Sequence, residues 1–331
     1  MGTLALSRFA ISISAGAALL AGCGGSQPPI GAPGAMPQSR SFAQPASHRG
    51  SWMLPEAKSE DLLYAGGSEQ TYVFSWPGGK SVGELGVAST YLCSDRYGNI
   101  WALSRTSVNK YAHGGTTPIA TIIPPSGTEP IFCAVDSTTG NLALFLLSNS
   151  HGEVAVYPDA QGQPVIYSPL DPSGIGYDAQ GNLFISGYRV SQNVLGELPV
   201  GGSQFVPVTL NGNGQKFDHL GPLQWHGHYL ALEGNLPNAY HGKEYELSLS
   251  GSAATVVKTF QYRPLVHGAW YSWIEGRHIA IPFQLRGHNP YVIGIWRYPG
   301  GGEPQKILKT FDGERLVGGV ESVTVSVAES H

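Results

Sequence analysis

Four histidines in the C-terminal part of the chain have the side chain best suited to chemistry at neutral pH. They are His219, His241, His267 and His288, four of the eleven histidines in 331 residues. Neutral imidazole is a common metal ligand, and three imidazoles can hold zinc or copper while one position stays open for water. Their spacing is irregular, so ordinary packing of loop histidines is the alternative. Whether the four meet depends on the fold.

Aromatic and polar residues of the same region suggest a ligand site. Tyr240 and Arg286 lie beside His241 and His288 in the sequence. Other aromatic and amide residues of this region are Trp225, Trp270, Tyr271, Trp273, Asn235 and Asn238. Aromatic faces next to such groups can stack on sugar or quinone-like rings, or form a protein-binding patch. The alternative is that these aromatic residues fill the space between sheets.

Covalent catalysis has little support in the sequence. There is no Gly-x-Ser-x-Gly motif, which marks one large class of serine nucleophiles. Cys93 and Cys133 precede Asp95 and Asp136 by two and three residues. Because this one-residue offset suggests diverging side chains, we predict two buried free thiols, with a disulfide as the alternative in an oxidising compartment.

Calcium or lactonase chemistry would need Glu, Asn and Asp side chains that converge on a channel. Glu129 and Glu321 are candidate members of such a set. No full set is evident in the sequence.

Two recurring turns organise the chain that must position these residues. The first has a glycine between two apolar runs, usually with a preceding Asp that caps the turn. Its glycines are Gly98, Gly140, Gly181, Gly227 and Gly276, which are 41 to 49 residues apart. Glycine supplies the positive φ that closes such a turn, so each turn joins two antiparallel strands.

The second turn follows an aromatic or leucine residue, as in Trp76-Pro77-Gly78-Gly79, and it occurs six times. The run Leu62-Leu63-Tyr64-Ala65 therefore lacks a preceding partner strand. The C-terminal run from Val320 to Val327 alternates at period two and fits that vacancy. We predict an all-β, six-bladed β-propeller over residues 52–331, with four antiparallel strands per blade and the C-terminal strand completing the first blade.

This arrangement brings the histidines to one face. In a propeller, the loops that enter the first strand of each blade share a face with the loops between the second and third strands, and ligands usually bind there. His219 and His267 fall in the first kind of loop in blades five and six. His241 and His288 fall in the second kind. We therefore expect all four in one sector of that face.

The phrase Asp-x-x-Gly-Asn-Leu, clearest from Asp178 to Leu183, resembles NHL-repeat propellers and the related six-bladed folds of streptogramin B lyase and the gluconolactonase-like proteins. The resemblance spans about 270 residues and implies the blade architecture. It assigns no catalytic residue to this chain. A six-bladed amidating lyase that holds zinc on channel histidines offers an analogue for the metal hypothesis.

The N-terminus looks like an export signal. Arg8 precedes a small apolar stretch that ends in Leu20-Ala21-Gly22-Cys23, which resembles the lipobox of bacterial lipoproteins. The resemblance implies a signal peptide over residues 1–22 and acylation of Cys23 with palmitate-like chains, which anchor the protein to a membrane. Residues 23–51 are rich in Gly, Pro and Ser and are typical of a flexible tether. Gly24 favours the outer membrane if the organism is Gram-negative.

Composition excludes some functions. Charged residues make up 13% of the chain and the net charge is −4, without a basic patch for nucleic acid. We therefore interpret the protein as a lipid-anchored, extracytoplasmic, monomeric propeller that binds or scaffolds an envelope protein, a glycan or a small ligand. The alternative is a metal-dependent lyase, lactonase or hydrolase with its site on the loop face of blades five and six. A purely structural role, with a plugged channel, is the third reading.

Overall fold

The structure is a computed structural model that describes residues 50–148, 152–168, 172–189, 192–214, 217, 219–236, 239–263, 271–284, 291–316 and 318–329. The N-terminal segment, including Cys23, lies outside the described residues. Two short 3₁₀ helices, Pro55–Lys58 and Pro158–Ala160, accompany a structure that is otherwise built of strands. No helix among the described residues is long and apolar enough to cross a membrane.

The strands follow one another as antiparallel neighbours. The first twelve are β1 (Trp52–Met53), β2 (Leu62–Gly67), β3 (Thr71–Ser75), β4 (Ser81–Leu85), β5 (Tyr91–Ser94), β6 (Ile100–Leu103), β7 (Val108–Tyr111), β8 (Pro118–Ile122), β9 (Glu129–Val135), β10 (Leu142–Leu147), β11 (Gly152–Tyr157) and β12 (Val165–Tyr167). The next eight are β13 (Pro172–Tyr177), β14 (Leu183–Arg189), β15 (Gln192–Leu198), β16 (Val206–Asn211), β17 (His219–His226), β18 (Tyr229–Leu236), β19 (Ala239–Ser250) and β20 (Ala253–Gln261). The last are β21 (Trp273–Glu275), β22 (His278–Gln284), β23 (Tyr291–Arg297), β24 (Lys306–Leu308), β25 (Thr310–Phe311), β26 (Glu314–Arg315) and β27 (Val320–Ser326).

These strands form β-sheets that pack side by side as in a β-propeller. Three sheets have four strands each, β5 to β8, β9 to β12 and β21 to β24, and a fourth has the order β1-β4-β3-β2-β27. Strands β13 to β20 form a single eight-stranded sheet, and β25 pairs with β26. The first strands of the sequence units, together with β27, contact one another in the order β27, β5, β9, β13, β17, β21, and β21 contacts β27 again. These inner strands therefore close a ring.

The sheet count differs from the prediction of six separate four-stranded sheets. The outer strands β16 and β20 pair in parallel, with Thr209 opposite Ala253 and Asn211 opposite Thr255, and this pairing joins two four-stranded runs into one sheet. An outer strand presents unpaired N–H and C=O groups. Pairing between neighbouring outer strands satisfies some of these groups. The recurring turns in the sequence do not predict this pairing.

The predicted role of the C-terminal strand is confirmed. Strand β27 pairs antiparallel with β2 from Leu62 opposite Ser326 to Gly67 opposite Val320. Polar contacts also join it to the sheet β5 to β8: Thr324 Oγ1 donates to Ser94 Oγ at 3.1 Å, and Ser326 Oγ donates to the carbonyl of Gly98. The last strand thus holds the two ends of the ring together.

The predicted turn chemistry is also confirmed. Asp178 Oδ1 accepts hydrogen bonds from the backbone N–H groups of Gln180 and Asn182, each at 2.9 Å. The side chain of Asn182 then reaches the next hairpin, where its Oδ1 accepts from Val200 N at 3.0 Å. Gly181 has φ of 86°, a left-handed conformation that glycine adopts without strain. The Gly-Asn-Leu phrase therefore ties the two turns of one sheet together.

The residues that precede the second kind of turn pack in the interior of the protein. All six of them are buried, namely Trp76, Tyr111, Tyr157, Leu198, Leu247 and Tyr298.

Candidate functional site at the channel mouth

The inner strands bring one group of residues to the end of the ring where these strands begin. Neighbouring inner strands run parallel where the contacts show their direction. Tyr271 bridges to Ser322 in parallel. A Cβ at Gly174 would lie 2.4 Å from the carbonyl oxygen of Gly221, and one at Gly176 would lie 2.7 Å from that of Leu223. Their first residues therefore lie at one end of the channel. We call this group the channel mouth, and it comprises Tyr91, Glu129, Ser173, His219, Tyr271 and Glu321.

Two aromatic residues of this mouth, Tyr91 and Tyr271, pack together with Phe132. The ring of Tyr271 stacks on Phe132 at a centroid distance of 4.5 Å and meets the edge of Tyr91 at 5.3 Å. Phe132 and Tyr91 are 5.2 Å apart in an edge-to-face arrangement. These three residues come from three different sheets. Their contacts give the mouth an aromatic floor.

Tyr271 is fixed from several directions. Its hydroxyl donates to the carbonyl of Ser173 on β13. Its backbone N–H donates to the carbonyl of Glu321 at 3.2 Å, and its carbonyl accepts from Val323 N at 3.1 Å. The residue therefore links the sheet of β21 to β27 and to β13 across the channel.

Two carboxylates give the mouth negative charge. Burial, followed by the charges of Glu321 and Glu129, raises the pKa of Tyr91 to about 12. Burial also raises the pKa of Glu321. Arg105 Nε lies 3.5 Å from Glu129 Oε1, but 88% of its side chain is exposed, so this ion pair is weak. The mouth thus presents hydrogen-bond acceptors above an aromatic floor.

The structure places only part of the sequence-predicted site. His219 is the first residue of β17, where it is exposed and pairs in register with Asn235. Tyr240 and His241 belong to β19 by their backbone, and their side chains lie outside the description. His267, Arg286 and His288 lie outside the described residues. The convergence of the four histidines, and the zinc or copper site built on them, remain predictions.

Among the described residues, no group of three or more His, Cys, Asp and Glu side chains is arranged to hold a metal ion. Glu129 and Glu321, the two carboxylates that the sequence suggested for a channel, do lie at the mouth near Tyr91. Sequence reasoning missed Tyr91 and Phe132, because their type and position are those of ordinary strand residues. Their convergence on Tyr271 is visible only in the ring.

The prediction of two free thiols is wrong. Cys93 and Cys133 form a disulfide with a Cα–Cα distance of 5.8 Å. Side chains at equivalent repeat positions on neighbouring inner strands point in the same direction around the ring. Two side chains on neighbouring strands therefore face each other only when their repeat positions differ by an odd number of residues. The one-residue offset therefore turns the two sulfurs together rather than apart.

Neither a protein-family model nor a curated protein sequence matches this chain. Solved structures do resemble it in fold. One is a protein of unknown function from Bacteroides caccae, 12% identical, covering 81% of this chain and 99% of that chain with a TM-score of 0.59. A chain of the nidogen/laminin complex is 12% identical and covers 82% and 100% with a TM-score of 0.59.

TolB from Acinetobacter baumannii is 12% identical and covers 83% of this chain and 68% of that chain, with a TM-score of 0.58. The fold is a β-propeller. At this identity the likenesses show the fold alone.

Proposed function

We propose that this protein is a lipid-anchored, extracytoplasmic propeller that binds a ligand or envelope partner at the channel mouth. The observation that carries the proposal is the mouth itself, where an aromatic floor meets two carboxylates at one end of the ring. Aromatic rings beside polar groups are the usual composition of binding sites. Because Tyr271, Tyr91 and Phe132 pack together across the ring of inner strands, we expect a partner to bind on this aromatic surface.

The proposed propeller has six blades. The ring of inner strands β27, β5, β9, β13, β17 and β21 supports this count. In this interpretation, the eight-stranded sheet consists of two blades whose outer strands pair. Each blade then keeps the four antiparallel strands that the sequence repeat indicates. The resemblance of these repeats to NHL repeats is part of the same proposal.

The lipid anchor is tested through Cys23. Cells that express the full chain are labelled with an alkyne analogue of palmitate and then fractionated. We expect label and protein in the membrane fraction, and we expect the Cys23→Ala variant to lose both. An unlabelled wild-type protein in the soluble fraction would exclude the anchor. Separation of inner from outer membranes then tests the outer-membrane location.

Binding at the mouth is tested by site-specific photo-crosslinking in intact cells. A photoreactive amino acid replaces Glu129, whose side chain is 43% exposed. The matched control replaces Tyr97, which is 53% exposed in the turn after β5, at the opposite end of that strand. We expect a defined adduct from position 129 and none from position 97. Equal adducts from both positions would contradict a partner site at the mouth.

The metal-dependent lyase, lactonase or hydrolase remains the alternative function. It rests on His219, which lies at the mouth, and on the sequence prediction for His241, His267 and His288. Elemental analysis of protein purified without chelators tests it. This alternative requires stoichiometric zinc or copper that is lost in the His219→Ala/His267→Ala variant. A metal-free wild-type protein would exclude it.

A further inference from the structure

Two glutamates lie directly opposite each other in the interior of the protein. Glu233 on β18 and Glu244 on β19 are register partners, and they are 4% and 2% exposed. Directly opposed residues on antiparallel strands share one face, with Cβ atoms about 4.5–5.5 Å apart. Glu246, two residues further along β19, is 7% exposed on the same face. The carboxyl groups therefore share a small buried volume.

This face packs against the sheet formed by β21 to β24. Ala231, the register partner of Glu246, belongs to one apolar cluster with Ile281 and Trp296 of that sheet. The polar and titratable groups around the pair are Glu246, Tyr262, Tyr271, Ser272 and Tyr298, with Lys258 opposite Glu246 and Tyr245 adjacent to Glu244. Most of these groups are neutral or negatively charged, so they do not compensate two buried carboxylates.

The lysine that pairs in register with Glu246 is directed elsewhere. Lys258 is exposed, and its Nζ lies 4.8 Å above the ring of Phe260. Within the described part of the chain, the salt bridges involve neither Glu233 nor Glu244. A buried carboxylate without a paired cation is strongly disfavoured in its charged form.

Hydrogen bonds do not compensate the charge either. Glu233 Oε2 and Glu244 Oε2 are buried and have no hydrogen-bond partner among the described residues, and the same holds for the hydroxyl of Tyr262, which is 1% exposed. Ser272 forms one hydrogen bond to Glu233. Two ionised groups would therefore lie side by side in an apolar interface with one compensating hydroxyl.

We propose that Glu233 and Glu244 are protonated at neutral pH and form a proton-dependent latch between the eight-stranded sheet and the sheet β21 to β24. As neutral acids, they pack in the apolar interface. When they ionise, mutual repulsion and hydration favour separation of the two sheets at this point. The latch does not depend on what binds at the channel mouth.

The direction of the effect follows from the pKa shifts. Burial raises the pKa of Glu233 to about 8, against the opposing hydrogen bond from Ser272. Burial, followed by the charges of Glu233 and Glu246, raises the pKa of Glu244 well above the usual value of a glutamate. Folded-state pKa values above the unfolded ones mean that the stabilising contribution of each group is fully present at low pH and is lost as the pH rises through its folded-state pKa, which for Glu233 is about 8.

The latch lies next to the floor of the mouth. Ser272, which bonds Glu233, directly follows Tyr271, and the charge of Glu233 contributes to raising the pKa of Tyr271. Release of the latch would therefore act on the chain segment that holds the aromatic floor.

The test compares urea unfolding of the full-chain wild type and of Glu244→Gln between pH 5 and 9. Glutamine keeps the shape of the acid but cannot ionise. We expect the ratio of the two unfolding constants, wild type over variant, to rise with pH from about pH 5, by about tenfold per pH unit while Glu244 is ionised in the unfolded chain and protonated in the folded one. Titrating residues that do not interact with Glu244 behave alike in both proteins and cancel in the ratio, whereas Glu233 and Glu246 are coupled to Glu244 and belong to the same effect. Glu153→Gln, a half-buried glutamate on β11, is the matched control and should follow the wild type.

A ratio that is independent of pH would overturn the proposal. A second measurement applies if Glu244→Gln does not fold: the infrared spectrum of the wild type at pH 7 should show the carbonyl stretch of protonated carboxyl groups, and its absence would also overturn the latch. A divalent metal retained after dialysis and lost in Glu233→Gln, or stabilisation by millimolar Ca²⁺ at pH 7, would show that a cation balances the charge instead of protons.

Discussion

Removal of the disulfide between Cys93 and Cys133 is the perturbation whose effect can be estimated most directly. The two cysteines are 40 residues apart, and the loop between them contains β6 to β8 with the end of β5 and the first part of β9. In the chain-entropy description, closing a loop of this length removes about 13 cal/mol/K from the unfolded chain, which is about 4 kcal/mol at 25 °C. The double variant Cys93→Ala/Cys133→Ala should therefore lose about 4 kcal/mol of unfolding free energy.

The assay is urea denaturation followed by tryptophan fluorescence, on the full chain with Cys23→Ala as the common background. That background leaves Cys93 and Cys133 as the remaining cysteines. A loss of about 4 kcal/mol shifts the midpoint by about 2 M urea if the slope is about 2 kcal/mol/M. The wild-type pair in reductant should approach the double variant, while the double variant itself should not respond to reductant.

Two results would refute this reasoning. One is the titration of two free thiols in denatured, unreduced protein from an oxidising compartment, since the bond would then not exist. The other is a double variant that unfolds at the same urea concentration as the background. In that case the bond would exist without constraining the unfolded chain as the loop estimate requires.

Three further perturbations test the ring. Deletion of residues 320–331 removes the buried Val320, Val323 and Val325, whose burial contributes about 1.5–3 kcal/mol each, and it exposes the edge of β2. We expect an insoluble or unfolded chain, whereas a chain that lacks only residues 330–331 should melt like the full chain. Equal melting temperatures for the two deletions would disprove closure by β27. Tyr271→Phe should lower the unfolding free energy by about 1 kcal/mol through the lost hydrogen bond from its hydroxyl to Ser173. Tyr271→Ala should lower it by about 3–5 kcal/mol through the lost ring, and urea denaturation measures both. An Ala variant as stable as the wild type would mean that the packing of the three aromatic rings does not stabilise the fold. His113 Nδ1 lies 2.6 Å from Ser326 Oγ, and burial lowers the pKa of His113 below 6.5. Because protonation is then favoured in the unfolded chain, the stability of the wild type relative to His113→Gln should fall as the pH drops below about 6.5. Parallel pH profiles of unfolding free energy for the two proteins would contradict this prediction.

Much of the fold could be predicted because the repeat reports local geometry. Asp178, Gly181 and Asn182 form their turn through contacts within five residues, so residue type and spacing suffice to recognise it. The vacancy before β2 and the alternating run at Val320–Ser326 are likewise readable from strand counting alone. Pairing of β16 with β20 was not predicted, because no residue in either strand requires it.

The site was less predictable, because it depends on which residues of distant strands face each other. Glu233 and Glu244 look like ordinary exposed strand positions in a sequence, and their burial follows from the packing of β18 and β19 against the next sheet. The pairing of Cys93 with Cys133 was missed for the same reason. Two residues offset by one position face each other only when their strands are neighbours around a ring.

The sequence by itself determined the strand order, the turn chemistry, the closing strand and the resemblance of the first 23 residues to a lipoprotein signal. Each of these depends on residues that are close along the chain or on a count of repeated units. The tertiary structure alone decided that Cys93 bonds Cys133, that Tyr271 crosses the channel to Phe132 and Tyr91, and that two glutamates share a buried interface. Such contacts depend on the orientation of packed sheets, and burial then sets the charge state that a sequence cannot show.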